Sequence, residues 1–211
     1  MAATKRLNPL DWTFLAAETR ESKMHVGSLM PFQPPPDAPP DLLRRLMDEI
    51  RENVAVHPPW NLKLRYPSLL SHPLQAWVED QQFDADYHVR RSALPSPGDE
   101  RELGILVSRL HSHSLDFHRP PWEVHFIEGL EGGRFAMYFK VHHALIDGYT
   151  GVQLLTRSLS FDPAERDTPM FFARKPAIRD ARPAHAPVFE SLLGIVRGQL
   201  GTTRNIAKAL R

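Results

Sequence analysis

Arg134-Phe135-Ala136-Met137-Tyr138-Phe139-Lys140-Val141-His142-His143-Ala144-Leu145-Ile146-Asp147-Gly148 is the stretch that decides the fold. Phe135, Met137, Phe139 and Val141 fall on one side of an extended chain; Ala136, Tyr138, Lys140 and His142 fall on the other. That period of two predicts a strand. His143 then stands where a buried strand gives way to a loop, with rigid backbone below it and room for a cleft above. Just upstream, Glu131-Gly132-Gly133 separates this strand from a second candidate at Trp122–Ile127, so the two form a hairpin. Downstream, the pattern turns helical from Thr150 to about Leu159.

Further out, strands and helices are interspersed. Asn8-Pro9 caps a short helix bearing Leu10, Trp12, Phe14 and Leu15, with proline at its first position. Met24–Phe32 reads as a strand ended by Pro34-Pro35-Pro36. Leu42, Leu43, Leu46, Met47, Ile50 and Val54 recur at helical spacing between Pro39-Pro40 and Pro58-Pro59. Short strands are expected at Leu62–Tyr66 and Gln75–Glu79, followed by a less regular stretch at Tyr87–Leu94. Asp99 is placed to cap a helix whose apolar face is Leu103, Leu106, Val107 and Leu110. The fold class is α/β, a mixed β-sheet with flanking helices. Five prolines (Pro163, Pro169, Pro176, Pro183 and Pro187) then mark 161–187 as a linker, and 188–211 is helical again.

The chain has 211 residues, 42% hydrophobic and 24% charged, which suits a globular protein rather than a disordered one. A net charge of +1 gives no reason to expect nucleic acid. With no cysteine there is no disulfide, thiolate metal site or thiol nucleophile, which fits a cytoplasmic protein. The N-terminus lacks the apolar run of a secretory leader. No apolar stretch approaches the roughly 20 residues that span a bilayer.

The double histidine is where chemistry is expected. An imidazole with an unperturbed pKa near 6.5 accepts a proton at neutral pH. Asp147 follows four residues later, and Gly148 allows a positive φ or a close backbone approach. A histidine at a strand end also has a purely structural reading. A metal site is a third, with His142, His143 and Asp147 as ligands. Against the metal, neighbouring strand residues point to opposite faces, so the two rings do not readily converge on one ion.

At these residues the sequence resembles the CoA-dependent acyltransferases related to chloramphenicol acetyltransferase, whose signature is His-His-x-x-x-Asp-Gly after a strand. Other stretches narrow the resemblance to the bacterial wax ester synthase/diacylglycerol acyltransferase family. They are Asn8-Pro9-Leu10-Asp11, Met24-His25-Val26-Gly27, Leu115-Asp116 with Arg119-Pro120-Pro121-Trp122-Glu123, and Ile127-Glu128-Gly129-Leu130. Pro121 stands where that family commonly has leucine. The likeness runs over most of 7–160, and implies that residues 1–160 are an N-terminal acyltransferase domain. Members of the family are roughly twice as long, so the resemblance implies one half of a two-domain enzyme, partnered by a C-terminal half.

The resemblance further implies transfer of a fatty acyl group from acyl-CoA, a substrate rather than a cofactor, to a long-chain alcohol or diacylglycerol, giving wax ester or triacylglycerol. His143 would be the general base. Asp147 would turn from the substrate and pair with an arginine, His142 would support the loop or line the channel, and Gly148 would give room to turn. Trp122 would line the channel or pack in the core. No metal is implied, and no Gly-x-Ser-x-Gly elbow is present to offer a serine nucleophile. An amide-forming condensation enzyme and a non-catalytic lipid- or partner-binding remnant are the rival readings. From Arg174 onward eight basic residues face only Asp180 and Glu190. The helix at 188–211 therefore either buries its apolar face on the second domain or lies on an anionic membrane or lipid-inclusion surface.

Overall fold

A computed structural model describes residues 4–53, 55–162, 165 and 168–173, so the helix expected at 188–211 lies outside the described residues. The first of two compact units, Met1–Pro176, holds every described element. In order these are β1 (Thr4–Arg6), α1 (Pro9–Ala17), β2 (His25–Phe32), α2 (Leu42–Asn53), β3 (Leu62–Leu64), β4 (Ala76–Glu79), α3 (Ala85–His88), β5 (Val89–Ala93), α4 (Glu100–Ser112), β6 (Trp122–Leu130), β7 (Arg134–His142) and α5 (Gly148–Arg157).

The strands form two sheets rather than one. β2-β7-β6-β5 is the larger; β1-β4-β3 is a small antiparallel one. In the larger sheet β7 pairs antiparallel with both β2 and β6, while β5 runs parallel to β6, reached through α4. The sheet is mixed, as the interspersed pattern required. Caps expected from sequence are formed. Asn8 and Asp11 make a reciprocal capping box on α1, and Asp99 accepts the Glu102 N–H at the start of α4. Three elements escaped the sequence reading: β1, the four-residue helix α3 and the parallel strand β5. The last is an edge strand, Val-Arg-Arg-Ser-Ala, with only its first residue fully buried.

β7 is covered on both faces. Met137, Phe139 and Val141 join Val124, Phe126 and Trp122 of β6 in the main core, closed by α2, α5 and the small sheet. Ala136 and Tyr138 face the other way, onto Leu103 and Leu106 of α4. Phe171 and Phe172, inside the stretch read as linker, are packed into the main core against Trp60, Phe139 and Trp122. Two aromatic rings bury enough surface to hold an irregular segment, whatever prolines surround it.

Towards its end the α4-facing side of β7 becomes polar. Lys140 is fully buried, and its Nζ donates to the carbonyls of Leu110 (2.9 Å) and His113 (3.0 Å) and lies 3.7 Å from Glu123 Oε2. Those carbonyls end α4, where helical carbonyls lack partners and the helix dipole is negative. Burial pulls the Lys140 pKa down, opposed by Glu123. Burial pushes Glu123 up, yet His125, Lys140 and Arg90 outweigh it and leave it below its ordinary value. Each buried charge is therefore matched.

His88 has no such match. Its ring lies between Phe83 (4.7 Å) and Trp122 (4.5 Å), with Nδ1 bonded to the Trp122 carbonyl at 2.8 Å. Loss of hydration pushes its pKa from 6.5 down to about 4. Between those values the unfolded chain binds a proton that the folded protein refuses, so stability falls as the pH is lowered across that window. The slope from this group approaches about 1.4 kcal/mol per pH unit. Denaturant unfolding from pH 7 down to 4.5 should show this loss, and His88→Phe should flatten the slope; equal slopes for the two proteins would refute the assignment.

Candidate active site

β7 delivers the two histidines to the sheet's end. The His142 N–H donates to the Pro121 carbonyl (3.0 Å), and the His143 N–H donates to the Met24 carbonyl (2.9 Å), which extends the β2–β7 ladder by one residue. The Leu145 N–H bonds back to the His142 carbonyl at 3.0 Å, closing a tight turn. Ala144, Leu145 and Ile146 are buried in the main core beneath it. The motif loop is thus fastened from two neighbouring strands and from below.

His142 is fully buried and points inward. Its Nδ1 accepts the Ala144 N–H at 3.1 Å, while its Nε2 sits 3.6 Å from Glu18 Oε2, within ion-pair range. It supports the loop from inside and lines no open channel. Glu18, at the end of α1, also accepts the Met24 N–H. Burial raises the Glu18 pKa, but His142 and the Met24 N–H overcome that and hold the carboxyl below its ordinary value.

His143 is partly exposed, and its ring stacks on Phe14 with centroids 4.7 Å apart and planes 12° from parallel. Burial, and secondarily His142, lowers the His143 pKa, with Asp147 opposing. The imidazole is therefore neutral at pH 7 and ready to accept a proton. Its Nδ1 is buried with no hydrogen-bond partner among the described residues. Phe14 and Glu18, one helical turn apart on α1, hold His143 and His142 respectively. Glu18 gave no signal in the sequence, because its meeting with His142 depends on how α1 packs on the sheet.

Asp147 is the N-cap of α5. It accepts the Thr150 N–H (3.0 Å) and the Thr150 hydroxyl (2.9 Å), so its carboxylate ties the motif loop to the helix that follows. Gly148 corrects an expectation. It is the first residue of α5, has no positive φ, and a side chain there would meet nothing within 4 Å. The chain turns at the Asp147 cap instead. Trp122 is likewise no channel residue. It is fully buried, donates from Nε1 to the Trp60 carbonyl at 2.7 Å, and stacks on His88 and Phe172. An indole whose N–H is satisfied inside a ring cluster belongs to the core. Among the described residues no group of three His, Asp or Glu side chains could hold a metal ion.

The fold is found in other proteins of known structure. The first condensation domain of the calcium-dependent antibiotic synthetase superposes with a TM-score of 0.53 at 18% identity, over 74% of this chain and 37% of that one, a likeness of fold. A wax ester synthase/diacylglycerol acyltransferase from Marinobacter aquaeolei VT8 superposes with a TM-score of 0.75 at 41% identity, over 90% of this chain and 45% of that one. Residues 7–211 match the profile of the wax ester synthase/diacylglycerol acyltransferase catalytic domain, and the chain belongs to that family. The O-acyltransferase WSD of Acinetobacter baylyi is 41% identical over 207 residues, 97% of this chain and 43% of that protein. A Mycobacterium tuberculosis protein named as a diacylglycerol O-acyltransferase is 66% identical over 168 residues, 80% of this chain and 34% of its own length. The chain thus spans less than half the length of these relatives.

The Glu18 contacts are open to direct test. Glu18→Ala leaves the Met24 N–H without its acceptor and buried His142 without its neighbouring carboxylate, and should cost about 1–3 kcal/mol in denaturant unfolding. Glu18→Gln still accepts the N–H and should recover part of that. If both variants unfolded like the parent, Glu18 would not be holding the motif.

Proposed function

We propose that this chain carries the general base of an O-acyltransferase that moves a fatty acyl group from acyl-CoA to a long-chain alcohol or diacylglycerol. The observation that supports this best is the placement of His143, stacked on Phe14 and fixed through its own N–H at the end of a doubly buried strand, where burial lowers its pKa and favours the neutral form. With Nδ1 buried, Nε2 is the atom to meet the acceptor. Nε2 takes the hydroxyl proton as the alcohol oxygen attacks the thioester carbonyl. The tetrahedral intermediate collapses, the C–S bond breaks, and the CoA thiolate leaves with the proton returned by His143. No acyl-enzyme forms, and the thioester supplies the driving force without a cofactor.

Asp147 and His142 act by position, one capping α5 and one bracing the turn; the arginine pairing of Asp147 remains part of this proposal. On α5, Tyr149 and Val152 are exposed, and they suit a wall shared with the C-terminal half that the longer relatives contain. No helix among the described residues is long and apolar enough to cross a membrane. The basic composition of 188–211 supports contact with lipid from the side, at an anionic membrane face or a lipid inclusion. Acceptor choice is read as alcohol rather than amine, because identity to the wax ester synthase is 41% and to the condensation domain only 18%.

In the complete polypeptide that contains this chain, His143→Ala should lower acyl transfer at least about 100-fold without loss of fold. Because the His143 pKa is lowered from 6.5, the acid limb of kcat/KM should fall below pH 6.5, with a plateau by neutrality. Near-normal turnover by the alanine variant would remove His143 from the chemistry.

A further inference from the structure

Met24-His25-Val26-Gly27 leads into β2, and the proposed acyl transfer uses none of its side chains. The Met24 carbonyl takes the His143 N–H at 2.9 Å, so the height of β2 helps to set the height of the base. His25 is buried and pairs in register with His142. Its Nε2 donates to the His111 carbonyl at 2.7 Å; a carbonyl only accepts, so the hydrogen is on Nε2. That carbonyl belongs to the last turn of α4, where no helical N–H is left to receive it. The nearby carbonyls of Leu110 and His113 accept from Lys140 Nζ on β7. One helix end therefore grips both strands that meet at His143.

Gly27 completes the fit by what it lacks. Its φ is not positive, so the backbone conformation does not ask for glycine. Space does. A Cβ there would lie 2.8 Å from Tyr138 Oη, 2.9 Å from Tyr138 Cε2 and 3.2 Å from His111 Nδ1. The room left by Gly27 lets Tyr138 Oη meet His111 Nδ1 at 2.7 Å, a second tie from β7 to the same helix end. Continued past α4, the chain supplies the Pro121 carbonyl that takes the His142 N–H at 3.0 Å.

We propose that His25, Tyr138 and Lys140, with the room left by Gly27, are positioning residues for His143: they clamp β2 and β7 to the end of α4 and so fix where the imidazole meets its acceptor. The proposal rests on the acyl-transfer reading and adds to it residues that act through His143 rather than on substrate. A misplacement of about 1 Å that begins far from the chemistry can cost about 100-fold in rate. Contacts that bind substrate elsewhere are untouched, so the loss falls on kcat and leaves KM.

The test uses the complete polypeptide, with palmitoyl-CoA and hexadecanol as substrates. His25→Phe keeps a ring and loses the donor; it should lower kcat about 10- to 100-fold while KM for both substrates stays near the parent's. His25→Gln can donate to the His111 carbonyl again and should recover most of that loss. Gly27→Ala should behave like His25→Phe. Because a smaller folded fraction would also lower apparent kcat, amide hydrogen exchange is followed on the same samples. The His143 N–H should exchange at least about tenfold faster in His25→Phe and return towards the parent rate in His25→Gln, while the Met137 N–H, in the middle of β7, keeps its protection. If His25→Phe does not fold, Tyr138→Phe removes a single hydroxyl from the clamp and should give a smaller loss of the same pattern. Parent kcat in a folded variant, or a His143 exchange rate equal to the parent's, would overturn the proposal. Exchange is read without substrate, so a protein that transfers no acyl group yet shows this selective change would retract the reaction and keep the clamp.

Discussion

The burial of β7 on both faces is the constraint on which the rest depends. A strand with water on one side can slip or fray. One flanked by β2 and β6, with the main core below and α4 above, has a single register. That register fixes the height at which the chain leaves the sheet, and hence where His142 and His143 stand. The motif loop adds little rigidity of its own. It borrows it from Met24, Pro121 and the buried Ala144-Leu145-Ile146.

Such burial is costly wherever the strand carries polar groups, and the structure meets that cost locally. Lys140 would be ruinous as an isolated charge in the interior, but it closes the carbonyl end of α4 and faces Glu123. The same interaction anchors α4 over the sheet. His142 is treated similarly, with a backbone N–H on one nitrogen and a carboxylate near the other. Polar residues on β7 thus orient the elements packed on it, while its apolar residues supply the cohesion.

What was legible in the sequence was what is local. The alternation of Arg134–Val141, the Gly132-Gly133 hairpin and the caps at Asn8 and Asp99 are decided within a few residues, and each stands in the structure. The motif itself was visible for the same reason. The parallel strand β5 was not, because its pairing with β6 runs through a helix and its two arginines break the apolar pattern. The division into two sheets, the burial of Phe171 and Phe172, and the contacts of Phe14 with His143 and Glu18 with His142 all depend on distant segments meeting. Gly148 misled because a glycine after an aspartate suggests a turn, whereas the Asp147 cap does the turning. Trp122 was ambiguous until the rings of Trp60, His88 and Phe172 were seen around it.

As the proposed base, His143 would owe its neutral form to burial of a ring fixed against Phe14. A histidine-selective NMR titration of the complete protein measures this directly. It should give His143 a midpoint below 6.5, the ordinary histidine value, and Phe14→Ala should move that midpoint back up. A midpoint at or above 6.5, unmoved by loss of Phe14, would contradict the account.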